Sequence, residues 1–180
     1  MKTAWLAVAL ALALSAAAQT PEKVLGDKDI TETALIEALT PAQQPIVTRS
    51  IRVERNDEQL PKASKPASAS LLITFETNSA ALTARAKQAL NVVGAALASE
   101  KLAAFRFSIQ GHADPRGKPE ANLKLSQLRA ESVRDYLVHD KHIDDPRLEA
   151  IGKGDTELMN KANPIAPENR RVTIVNLTQQ

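Results

Sequence analysis

The chain has 180 residues, with 23 lysines and arginines against 21 aspartates and glutamates, for a formal net charge of +2. A balance this close excludes a polyanion partner held by bulk charge, and aromatic residues at 3% leave few platforms on which bases could stack, so no nucleic-acid partner is expected. The absence of cysteine removes disulfides and the attachment point for N-terminal acylation, leaving stability to the core.

In chain order, residues 1–18 read as a secretory signal peptide. Lys2 gives a positive start, Trp5 to Leu14 is an apolar run, and Ala16-Ala17-Ala18 offers a small-residue site with cleavage expected after Ala18. No later stretch reaches the roughly 18 apolar residues of a spanning helix, so no transmembrane segment is expected in the mature chain. Residues 19–60 read as an N-terminal extension containing one short helix near 30–39. There Asp29 and Glu32 resemble a capping box, Leu35, Ile36 and Leu39 follow at helical spacing, and Pro41 stops the run. Ile46 to Val53 has strand composition. The proline- and lysine-bearing stretch 61–70 reads as a linker.

From residue 71 the pattern sharpens. Leu71, Ile73 and Phe75 alternate as in a strand; Ala86, Leu90, Val93 and Leu97 recur as in an amphipathic helix. Phe105, Phe107 and Ile109 alternate with polar residues, which predicts a second strand. A loop carrying Gly111, Pro115, Gly117 and Pro119 leads to a helix from Asn122 to about His139, with Leu125, Leu128, Val133 and Leu137 expected inward. Leu148 and Ile151 mark a short strand ending before Gly152, and Val172 and Ile174 a final one. This alternation predicts a sheet with packed helices, right-handed crossovers and one domain over 71–178.

Ligands of such sheets bind beyond the carboxyl ends of the strands, here at the loop Gly111-His112-Ala113-Asp114-Pro115-Arg116-Gly117. Asp114 on that loop and Arg129 on the following helix can reach one crevice. Together they suit a carbon bearing both an ammonium and a carboxylate. The aspartate would accept from the ammonium, and the guanidinium would grip the carboxylate with two parallel N–H donors. Diaminopimelate in the peptide stem of peptidoglycan has such a free end. Asn122 reads either as a helix cap or as a ligand contact.

Residues Ile73-Thr74-Phe75-Glu76-Thr77-Asn78-Ser79, Gly111-His112-Ala113-Asp114, Gly117, Asn122, Leu125-Ser126, Arg129-Ala130, Tyr136-Leu137, Arg147-Leu148, Gly152-Lys153-Gly154 and Asn169-Arg170-Arg171-Val172 resemble the OmpA-like C-terminal domain family in order and spacing. That resemblance implies an α+β fold, a β/α/β/α/β-β sandwich whose mixed sheet packs against two main helices. It also implies a periplasmic, non-catalytic domain that binds peptidoglycan through diaminopimelate, with Asp114 and Arg129 as the holding residues and Asn122 beside them. His112, Gly117, Leu125 and Arg171 take supporting roles. The chain departs from the family pattern at Ala113, where threonine is usual, and at Ala121, where many members carry an aromatic. Its N-terminal part is too short for the eight-stranded barrel of the family's namesake.

No cofactor and no metal are expected: His139 and His142 lie near Asp140, Asp144 and Asp145 without ligand spacing. Gly152-Lys153-Gly154-Asp155 lacks the spacing of a phosphate loop and reads as a turn. Of Arg170 and Arg171, one is expected to pair with an acidic neighbour and the other to be solvated. Ser126 is expected to hydrogen-bond within its helix. Two other functions compete with wall binding. One is an adaptor for an outer-membrane or envelope protein that docks through residues 19–60. The other is a cell-wall hydrolase using His112 and Asp114.

Overall fold

The computed structural model describes residues 24–26, 29–41, 65–76 and 79–178. The expected signal peptide and the expected strand over 46–53 lie outside the described residues. The elements run β1 (Val24–Leu25), α1 (Glu32–Leu39), β2 (Ser68–Leu71), α2 (Ala84–Ala98), β3 (Phe107–His112), α3 (Pro119–His139), β4 (Leu148–Gly154) and β5 (Val172–Asn176), with single 3-10 turns before β4 and β5. The five strands form one mixed sheet in the order β1-β2-β5-β3-β4. β1–β2 and β3–β4 are parallel; β5 runs antiparallel to both β2 and β3. The α+β class is as expected, and among the described residues three helices accompany the sheet.

Each helix buries one stripe. α2 starts at the Thr83 cap, whose hydroxyl accepts from the Ala86 amide, and turns Ala86, Leu90, Val93 and Leu97 inward. They meet Leu71 of β2, Phe107 and Ile109 of β3 and Ile174 of β5 in one apolar core. α3 begins at Pro119, three residues before the expected start, because proline fits the first helical turn, where its missing N–H leaves no bond unmade. Its inward residues also differ from expectation. Asn122, Ser126, Ala130, Val133 and Leu137 are buried, Leu125 is half-buried, and Leu128 is 44% exposed. Hydrophobicity alone points Leu128 inward; helix phase places it on the face opposite the stripe.

α1 is capped by Thr31, whose hydroxyl accepts from the Ala34 amide at 3.2 Å, rather than by Asp29. Leu35 and Leu39 are fully buried in the same core, and the Leu39 carbonyl accepts from the buried Asn176 side chain at 2.9 Å. The apolar face that an adaptor would offer to a partner is thus occupied by the protein's own interior. Other boundaries also move. β3 begins at Phe107 rather than Phe105 and runs through Gly111 to His112, both expected in the loop. Ser68–Leu71 is strand where the linker was expected to continue to 70, and of the alternating Leu71-Ile73-Phe75 run only Leu71 is in it; Phe75 makes an isolated bridge to Leu82. β4 runs through Gly152 and on to Gly154, so the expected turn begins later, although Gly154 does take a positive φ of 55°. Among the described residues no helix is long and apolar enough to cross a membrane.

Candidate functional site

Strand direction gathers the site. β3 ends at His112, where Gly111 pairs with Val172 at the start of antiparallel β5, and Leu71 at the end of β2 pairs with the same Val172. On the other side, His112 pairs with Gly154 at the end of parallel β4. The ends of β2, β3 and β4 therefore share one edge of the sheet with Arg170 and Arg171, which precede β5. α3 departs from that edge over strands that carry glycine beneath it. A Cβ on Gly152 would lie 2.6 Å from the Gln127 amide nitrogen, and one on Gly111 would collide with the Ser126 carbonyl oxygen. Without side chains there, the first half of α3 sits directly on β3 and β4. Ser126 bonds across the contact, accepting from the Gly154 amide at 2.9 Å while donating to the Leu123 carbonyl. Its role is therefore wider than the bond within its helix.

Asp114 is buried, its side chain only 6% exposed. Arg116 wraps it: the Arg116 amide and Nε donate to Oδ1 at 3.1 and 3.0 Å, and Nη2 donates to Oδ2 at 2.7 Å. Arg170 reaches the same Oδ2 through Nη1 at 2.8 Å. The Arg116 hydrogen bond, opposed by burial and reinforced by Arg170, holds the carboxyl down to about 2. Gly117, with φ of 101°, turns the loop back toward α3 in a conformation that favours glycine. Asn122 is neither the cap nor exposed. It lies inside the first turns of α3, and its Nδ2 donates to the Asp114 carbonyl at 3.2 Å and to Asp155 Oδ2 at 3.3 Å, tying the loop to the end of β4.

Arg129 is half-buried. Its Nε donates to the Ser79 carbonyl at 3.1 Å, and its guanidinium lies 4.9 Å from the Phe75 ring centre, a cation–π contact. Burial, then the like charge of Arg170, weaken its hold on its proton, while the charge of Asp114 strengthens it. Arg129, Arg170, Arg171, His112 and Phe75 are among the residues lining a cleft of about 200 Å³. Asp114 makes no direct hydrogen bond to Arg129; Arg170, which both lines the cleft and holds the carboxylate, is the link. His112 is buried at the cleft wall, its amide bonded to the Arg171 carbonyl at 2.9 Å. Arg171 is buried, not solvated, and donates to the Glu157 carbonyl at 3.2 Å. Arg170 is the arginine that takes the acidic partner.

Sequence reasoning missed Arg116 as a partner of Asp114 and Arg170 as part of the cleft. The first had a local signal, since Asp-x-Arg within a turn brings the two side chains together. The second depends on antiparallel pairing of β5 with β3, which no local pattern reveals.

The family model described as the OmpA family matches residues 74–171, more than half of the chain. The chain belongs to the OmpA family. Outer membrane protein A of Yersinia pseudotuberculosis is 36% identical over 132 residues, covering 73% of this chain and 31% of that protein. A peptidoglycan-associated lipoprotein of Rhizobium meliloti is 34% identical over 105 residues, 57% of this chain and 58% of its own length. The chain thus spans less than two thirds of each of these OmpA-family relatives. The periplasmic domain of Helicobacter pylori MotB superposes with a TM-score of 0.53 at 18% identity, covering 68% of this chain and 88% of that one, which shows a shared fold.

Proposed function

We propose that the protein is a non-catalytic cell-envelope module that binds peptidoglycan in the periplasm, gripping the zwitterionic end of diaminopimelate. The observation that carries this reading is the convergence of Asp114, Arg170 and Arg129 at one edge of the sheet, fifteen residues of loop and helix separating the first from the last. The carboxylate would accept from the ligand ammonium. Arg129, already oriented by Phe75 and Ser79, would bind the ligand carboxylate, with Arg170 adding positive charge beside it. Asn122 holds the Asp114 loop in place. The name of the Rhizobium relative, a peptidoglycan-associated lipoprotein, supports the same reading.

Hydrolysis is the poorer reading. A general base works best when its pKa lies near the operating pH, and a carboxyl held at about 2 by two guanidiniums has little tendency to take a proton. Cosedimentation with purified sacculi tests the binding proposal. Wild type should pellet with the wall, whereas Asp114→Asn and Arg129→Ala should each remain in the supernatant with unchanged circular dichroism. Equal retention of all three proteins would refute it.

A further inference from the structure

The cation that the site is proposed to receive already has a substitute in place. Asp114 has two oxygens and about four acceptor positions. Oδ1 takes the Arg116 amide and Nε; Oδ2 takes Arg116 Nη2 and Arg170 Nη1. An ammonium therefore finds no open position on this carboxylate until one donor leaves. The two arginines are not equally able to leave. Arg170 is part of the cleft wall and also donates to the Ile165 carbonyl at 3.2 Å. Arg116 sits on the loop with its side chain 62% exposed, and among the described residues every hydrogen bond of its side chain is to Asp114.

We propose that Arg116 is an internal competitor for the ammonium seat, a guanidinium that closes Asp114 in the empty protein and swings into solvent when an ammonium-bearing ligand enters. This rests on the reading of Asp114 as the ammonium acceptor. Its consequence is a filter. Wherever the competent state is only fractionally populated, apparent affinity falls by that fraction. A ligand must bring its own cation to displace Arg116, so a dicarboxylate without an ammonium gains nothing from the exchange. Arg116 is largely exposed, so solvent screens its hold on the buried carboxylate; at the scale of a surface ion pair its removal shifts affinity by a factor of about five, so the latch reduces affinity without abolishing it.

Isothermal titration of the full chain with meso-diaminopimelate and with pimelate, its ammonium-free analogue, tests the idea. Arg116→Ala should bind meso-diaminopimelate about two- to fivefold more tightly than wild type and pimelate no better. Arg116→Lys should fall between, because a lysine cannot make the forked contact. Asp114→Asn should lose meso-diaminopimelate binding. If Arg116→Ala binds the diamino acid equally or more weakly while Asp114→Asn still abolishes binding, the competitor is overturned and the site reading stands. Wild-type affinity in Asp114→Asn would overturn the site reading and the competitor with it.

Discussion

The two halves of α3 do different work. From Val133 onward its inner face is apolar, with Val133 and Leu137 fully buried among residues of the common core. Before that, its inner face presents Asn122 and Ser126, and each bonds to a neighbouring element: Asn122 to the Asp114 loop and Asp155, Ser126 to the end of β4. The second half attaches the helix by removing surface from water, which is indifferent to small rotations. The first half attaches it by directed bonds and by close approach over glycines, which fix Arg129 in position. A helix that was apolar throughout would be held as firmly and would aim nothing at the strand ends.

Substitutions in the two halves should therefore separate stability from binding. The largest effect on stability is expected from Leu137→Ala. Emptying a fully buried leucine site costs about 2–5 kcal/mol, and chemical denaturation should show that loss while the folded fraction binds sacculi as wild type does. Gly111→Ala should cost roughly 1–3 kcal/mol through overpacking, and here binding should fall as well, because relief of the clash with Ser126 moves the half of α3 that carries Arg129. A result in which Gly111→Ala loses stability but keeps full binding would break the distinction between the halves. Ser126→Ala should cost about 1 kcal/mol, since it leaves the Gly154 amide without its acceptor.

A separate test of the site is the pH dependence from Asp114. Its folded-state pKa of about 2 lies below the ordinary 3.8, so the charged form is favoured in the native state. The stability this contributes is complete above about pH 4 and is lost as pH falls toward 2. Melting temperatures measured across that interval should fall less steeply for Asp114→Asn than for wild type.

Periodicity made much of this legible. Alternation at Phe107 and Ile109 located β3, and the spacing of Ala86, Leu90, Val93 and Leu97 located α2 with its correct inner face. It failed where burial is polar. Asn122 and Ser126 carry no hydrophobic signal, so the stripe of α3 was drawn through Leu125 and Leu128 instead. Asp114 and Arg129 stood out because they fall within Gly111-His112-Ala113-Asp114 and Arg129-Ala130, motifs that resemble the family's; an aspartate in a turn or an arginine on a helix face is otherwise ordinary. Arg170 did not, because its place beside Asp114 follows from pairing between strands some sixty residues apart in sequence, and Arg171, beside it in sequence, is buried on another contact. The role of α1 was hidden for a related reason: an eight-residue amphipathic helix looks the same whether its partner is its own core or another protein.

β5 is the strand latest in sequence, yet it occupies the middle of the sheet, between β2 and β3. During synthesis the earlier strands have no neighbour to join across that gap. β1 can pair with β2 and β3 with β4, but the two pairs join into one sheet only through β5, whose start also sets Arg170 beside Asp114. Losing the few residues that form β5 would therefore divide the sheet at its centre.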